Sequence, residues 1–231
     1  MAEEGSNNNN LLDANDIEDP NAIPKNSKVY GILQRYEGSN QAFIDNEFPH
    51  TYKTLNFDGK SESGNHKNVK WLRPHAFLNA DYSEIQVFDN IHPNDIKQGA
   101  LGVCYYLCAL SALCEFPSRV PKCFITKETN KVGAYSVVFF RQGKPTEVVI
   151  DDHFPCYDWG KPLFAKPEGK ELWCLIMEKA FCKMCGSYTI AEAGRSYEAF
   201  EVLTGCPGEY INLKDFTPDE IWDKSVEYDA Q

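Results

Sequence analysis

Residues 98–114, QGALGVCYYLCALSALC, place three cysteines behind a glycine-rich run that opens with a glutamine. A cysteine nucleophile needs a stabilised thiolate, a base, and donors for the oxyanion formed when it attacks a carbonyl. Around Cys104 the sequence supplies the first and the third. Gly99 and Gly102 precede an apolar run, so Cys104 falls in the first turn of a helix. There the positive end of the helix dipole favours thiolate, and a backbone N–H can face an oxyanion. Gln98, six residues earlier, brings a second donor from its side-chain amide if the loop folds back. Cys108 and Cys114 lie four and ten residues further on in an apolar helix, and both are expected to pack, as most cysteines do.

Other residues could do chemistry, less specifically. Cys182 and Cys185 form a CxxC, but no second pair at zinc-finger spacing exists, and this one closes a helix where a redox CxxC opens one; packing is the expected role. Gly99-x-x-Gly102 lacks the Lys-Ser/Thr of a phosphate loop. Asp151 and Asp152 could bind metal or move protons, but their place after a strand reads as a turn.

The elements that must hold these residues follow from periodicity. A helix runs from after Gly102 to about Cys114 and stops before Pro117. Residues 122–128 alternate like a strand, and 133–155 read as a hairpin with a Gly-Lys turn. Residues 171–186 form a helix with Gly186 as its stop, and 196–205 a shorter one with Ser196 as N-cap. Residues 217–228 form a last helix, with Thr217 as N-cap and Pro218 at its first position. Residues 1–25 read as an acidic, Asn-rich disordered tail, and 58–70 as a polar loop. The order gives a mixed α+β domain without the alternation of a doubly wound sheet.

Composition narrows the class. The 231 residues are 42% hydrophobic, enough for a core, and carry a net charge of −11, which argues against non-specific nucleic-acid binding. No run of about 20 apolar residues suggests a membrane span, and the N-terminus does not read as a signal peptide. Nine cysteines, an odd number, read as free thiols in an intracellular, reducing compartment.

DIKQGALGVCYYLCALSAL (95–113) resembles the active-site segment of the calpain family of calcium-dependent cysteine proteases. VVIDDHFP (148–155), ELWCLIMEKAFCKMCGSY (171–188) and GRSYEAFEVLTGCP (194–207) resemble successive blocks of the same core, and FIDNEFP (43–49) and WLRP (71–74) its first segment. The resemblance implies a papain-like, Cys-bearing half-domain over 26–215, with 216–231 opening the connection to a second half. It places the nucleophile on Cys104 and the oxyanion-hole glutamine on Gln98. It also implies a Ca²⁺ site with side-chain ligands Asp95 and Glu171 and backbone carbonyls around Phe88 and Asn90. The implied substrate is a protein or peptide.

The pattern breaks in places. Val103 and Tyr105 stand where the family usually has an acidic residue and a tryptophan, and VFDNIHPN (87–94) lacks the usual glycines of the calcium loop. Papain-like enzymes carry their His and Asn ~130–150 residues after the cysteine, which from Cys104 means about residues 234 to 254. The five histidines are 50, 66, 75, 92 and 153, all earlier. His92 is the one to test as a substitute base; the others read as surface residues, apart from His153 in its strand-end block. The chain is thus expected to be inactive alone, either as a fragment complemented by a separate or missing half or as a standing half-domain. The rival readings are a non-catalytic binding or regulatory module and a thiol metal or redox protein built on Cys182 and Cys185.

Overall fold

A computed structural model describes residues 22–55 and 68–229. Most of the expected tail and of the polar loop lies outside the described residues. The elements are α1 (Lys28–Tyr36), α2 (Tyr52–Leu55), β1 (Lys70–Leu72), α3 (Pro74–Leu78), α4 (Cys104–Cys114), β2 (Ala134–Arg141), β3 (Lys144–Asp151), β4 (Phe154–Cys156), α5 (Trp173–Cys185), α6 (Ser196–Thr204) and α7 (Pro218–Asp229). β2 pairs with β3 and β1 with β4, both antiparallel, so the fold is α+β as expected.

The β2–β3 ribbon is covered on both faces. Tyr135, Val137, Phe139, Val148 and Ile150 enter the main core, whereas Ala134, Val138 and Val149 meet Val29 of α1 and Ile125. Two buried faces explain why β2 carries apolar side chains at successive positions instead of alternating ones. Gln142 and Gly143 make the turn, with φ of 53° and 71°, so the turn is Gln-Gly and not Gly-Lys. Two successive left-handed residues match the twist of a tight hairpin. Buried Glu147 ties α1 to this ribbon: its carboxylate accepts the N–H groups of Lys28 (2.7 Å) and Val29 (2.9 Å) at the positive end of the helix.

The main core lies between α4, α5, α6 and the ribbon. Tyr106 of α4 stacks on Phe181 of α5 at 4.0 Å, and its hydroxyl donates to the Met177 carbonyl at 3.1 Å. A buried aromatic with its polar tip satisfied keeps the full benefit of its apolar area. α5 ends at Gly186, φ 107°, and α6 at Gly205, φ 74°, both as expected.

Some expectations fail. Residues 122–128 are not a strand: a 3-10 helix spans Pro117–Cys123, and only Phe124 bridges to Val137. Pro117 and Pro121 fix φ in the range of this turn, which carries through Cys123 before the chain extends. Ser196 is the first helical residue of α6, and extended Arg195 is the cap, its N–H donating to Glu198 at 3.0 Å. α1, capped by Ser27, was not anticipated. Among the described residues no helix is long and apolar enough to cross a membrane.

Candidate active site

Cys104 is the first residue of α4 and is exposed, while its neighbours Val103 and Tyr106 are fully buried. No side chain caps α4; its first N–H groups are the orphan donors of a helix start. The loop behind Cys104 is held by close backbone packing. The Ala100 N–H donates to Leu163 at 3.1 Å, and Lys166 to Lys97 at 3.1 Å. A β-carbon on Gly99 would collide with the Phe164 carbonyl, so this position needs glycine. Behind that segment, Glu178 of α5 accepts the Ala165 N–H at 2.9 Å. Glu178 is 3% exposed, its second oxygen has no partner, and burial pushes its carboxyl up to about 8.

Gln98 turns back on its own loop. Its Nε2 donates to the Leu101 carbonyl at 2.8 Å, three residues before Cys104. An amide carries two hydrogens, so one N–H is left for another acceptor. On the opposite side, residues 191–194 pack on the start of α4. Tyr105 donates to the Ala191 carbonyl at 2.8 Å, Ala193 N–H to the Gly102 carbonyl at 3.1 Å, and Gly102 N–H to Glu192 at 3.3 Å. The Tyr105 ring leaves no room for a side chain at Gly194. These contacts escaped the sequence reading because they join segments some ninety positions apart.

Cys108 corrects the expectation that it packs: it is exposed, one turn after Cys104 on the same face, with exposed Ala112 one turn further. Cys114 is buried, as expected, and burial pushes its thiol up to about 12. Cys182 is fully buried and pushed well above the ordinary thiol range; Cys185 is pushed up to about 11 by the same cause. Neither is poised for thiolate chemistry, in keeping with a packing role.

The acids and loop named for calcium lie together. Asp95 and Glu171 are 8% and 7% exposed. Glu171 accepts the Asp89 N–H at 2.8 Å, and Asp95 accepts that of His92 at 2.7 Å. Leu172 and Trp173 N–H groups donate to Gln86 (3.1 Å) and Val87 (3.0 Å), fastening the loop that carries Phe88 and Asn90 to the start of α5. Phe88 packs edge-on against Phe124 at 4.8 Å. Burial raises the Glu171 carboxyl, and the neighbouring charges of Asp95 and Asp89 raise it further. Among the described residues none of these three acids is in a salt bridge. Unbalanced negative charge and an all-oxygen donor set fit a hard cation such as Ca²⁺.

Among the described residues no hydrogen bond joins a histidine to Cys104. His92 Nδ1 accepts the Asn94 N–H at 3.1 Å as a helix cap, and His75 meets the Tyr82 hydroxyl at 3.1 Å. His66 lies outside the described residues. His50 and His153 meet at Asp151, each 20% exposed, so His50 is not the surface residue, nor Asp151–Asp152 the simple turn, expected there. Asp151 and Asp152 are both fully buried. Asp152 binds Arg73 at 2.6 Å, and Asp151 binds Lys179 at 2.7 Å. Burial works against the Asp151 charge, but the Lys179 ammonium and the two nearby imidazoles hold its carboxyl far below the usual range.

Residues 43–230 match the calpain family cysteine protease profile. The chain is 36% identical over 197 residues to the calpain-type cysteine protease DEK1 of Arabidopsis thaliana, covering 80% of this chain and 9% of that protein. It is 30% identical over 196 residues to calpain-A of Drosophila melanogaster, covering 80% of this chain and 23% of the relative. Against calpain-5 of Caenorhabditis elegans the identity is 32% over 190 residues, 78% of this chain and 28% of the relative. The chain therefore spans well under a third of the length of these relatives.

Proposed function

The chain belongs to the calpain family of cysteine proteases, and on that premise we propose that it carries the Cys-bearing half of a papain-like endopeptidase core. Cys104 Sγ attacks the carbonyl carbon of a peptide bond, and its proton passes to an imidazole supplied by a second half of the core. The developing oxyanion accepts the Cys104 N–H and the remaining Gln98 amide hydrogen. Collapse of the tetrahedral adduct expels the amine, which takes the proton, and water then hydrolyses the thioester.

One observation carries this reading: Cys104 is the exposed first residue of α4, and Gln98 is drawn back to the carbonyl of Leu101 beside it. Residues 26–215 make up the half, and 216–231 begin the connection. In support, α7 turns Trp222 and Val226 to solvent at 72% and 53% exposure, one turn apart, as a helix that meets further protein would. Asp95 and Glu171 would hold Ca²⁺ together with the carbonyls of Phe88 and Asn90. The ion would fasten the loop before Gln98 to α5 and neutralise the acids there.

The test joins this chain to the His- and Asn-bearing half of a relative and follows hydrolysis of a protein substrate. Activity is expected, abolished in Cys104→Ala and lowered about 10²- to 10³-fold in Gln98→Ala. Hydrolysis that survives Cys104→Ala would overturn the assignment. Absence of hydrolysis by a correctly folded pair would instead favour a non-catalytic binding module. Calcium is tested separately by titration calorimetry on the chain, with heat expected for the wild type and little for Glu171→Gln.

A further inference from the structure

His50, Asp151 and His153 each offer one ligand atom, and the three atoms lie within 4.8 Å of one another. They come from two parts of the chain: His50 from the segment before α2, Asp151 and His153 from the corner between β3 and β4. His50 Nε2 is 2.8 Å from Asp151 Oδ2. His153 Nδ1 is 3.5 Å from Asp151 Oδ1, too far for a good hydrogen bond, and is buried without a partner. A buried ring nitrogen left unsatisfied points to a group that it lacks. The imidazole rings lie 4.3 Å apart, and Trp71 stacks on His50 at 5.1 Å, which fixes the orientation of that ring.

We propose that His50, Asp151 and His153 form a binding site for a borderline divalent ion of the zinc class. Two imidazoles and one carboxylate are the donors such an ion prefers, whereas Ca²⁺ and Mg²⁺ ask for oxygens throughout. Asp151 Oδ2 is the carboxylate ligand, and His50 Nε2 and His153 Nδ1 are the nitrogens. The ion displaces the proton shared between His50 and Asp151, which leaves to solvent. Both histidines are 20% exposed, so water reaches the outer face and completes a four-coordinate shell.

The surroundings hold the carboxylate still. The Asp45 N–H donates to Oδ2 at 2.8 Å, and the His153 N–H donates to Oδ1 at 2.9 Å. Lys179 also donates to Oδ1, at 2.7 Å, and to the carbonyls of Asp151 (2.9 Å) and His153 (2.7 Å). Such outer contacts orient metal ligands. The Lys179 ammonium repels a second cation, so the affinity falls short of a closed structural zinc site. Bound metal links position 50 to positions 151 and 153 and stabilises the folded chain by mass action.

Thiolates also ligate zinc, so the test uses protein whose accessible thiols have been alkylated. Titration calorimetry with Zn²⁺ should show one ion per chain, and Zn²⁺ should raise Tm where Ca²⁺, which does not fit two imidazoles, leaves this site unfilled. His153→Asn removes no hydrogen bond from Nδ1, so its metal-free Tm should match the wild type while its Zn²⁺ affinity drops at least tenfold. His50→Gln should lose affinity similarly. NMR of the ring nitrogens provides a mutation-free reading: Zn²⁺ should shift those of His50 and His153 and leave those of His75 and His92 in place. Absence of Zn²⁺ binding to the alkylated protein, or equal binding by His153→Asn, overturns the site.

Discussion

Glu178→Gln should stabilise this protein, and only above acidic pH. Glu178 sits fully inside α5, with one oxygen on the Ala165 N–H and the other unpartnered. Burial raises its carboxyl from 4.5 to about 8. A raised acid favours the protonated fold, so its contribution is fully present below 4.5 and is lost as pH rises towards 8. At about 1.4 kcal/mol for each tenfold change in proton affinity, the cost of keeping the charge buried above pH 8 is on the order of 5 kcal/mol at most. Gln keeps the Ala165 hydrogen bond and carries no charge, but its amide N–H₂ takes the unpartnered position at a cost of about 1–3 kcal/mol. The net gain should be about 2–4 kcal/mol at pH 8, shrinking to nothing or reversing at pH 4.5. Urea denaturation of both proteins at the two pH values measures this, with equal m values required. A gain of the same size at both pH values, or a wild type that becomes more stable relative to the variant towards pH 8, would refute the burial argument.

Gly99→Ala should force the Gln98 loop away from Phe164, lowering Tm by several degrees and slowing alkylation of Cys104, as read by thermal unfolding and mass spectrometry. Lys179→Met leaves the buried Asp151 charge without its ammonium and should cost about 3–5 kcal/mol in urea denaturation; a loss below about 1 kcal/mol would mean that His50 and the backbone N–H groups suffice. Glu171→Gln should weaken Ca²⁺ binding in calorimetry while leaving the urea midpoint without calcium unchanged or higher, because it removes one of three clustered charges.

The sequence was most readable where local rules decide the structure. α4 and α5, the stop at Gly186 and the β2–β3 ribbon follow from helical period, a left-handed glycine and β-branched runs. The turn of Gln98 onto its own loop, at the Leu101 carbonyl, was within reach of the sequence because a short glycine-rich run joins the two. Which face of α4 stays open was not readable: CYYLCALSALC is apolar all round, so no period marks Cys108 as exposed. Residues 122–128 alternate like a strand, yet two prolines upstream hold a 3-10 turn in place. The charge pairs Asp151–Lys179 and Asp152–Arg73 join residues tens of positions apart, and a linear reading sees them only as ordinary polar positions.

The role of Cys104 is tested most directly against its own neighbour. Cys104 and Cys108 are both exposed on one face of α4 and differ in position along the helix. The dipole at a helix start favours an attacking sulfur anion by about 0.3–1 kcal/mol, or about two- to fivefold in rate. Timed alkylation by iodoacetamide at neutral pH, resolved by peptide mass spectrometry, should modify Cys104 at least that much faster than Cys108. Equal rates, or faster modification of Cys108, would contradict Cys104 as the nucleophile.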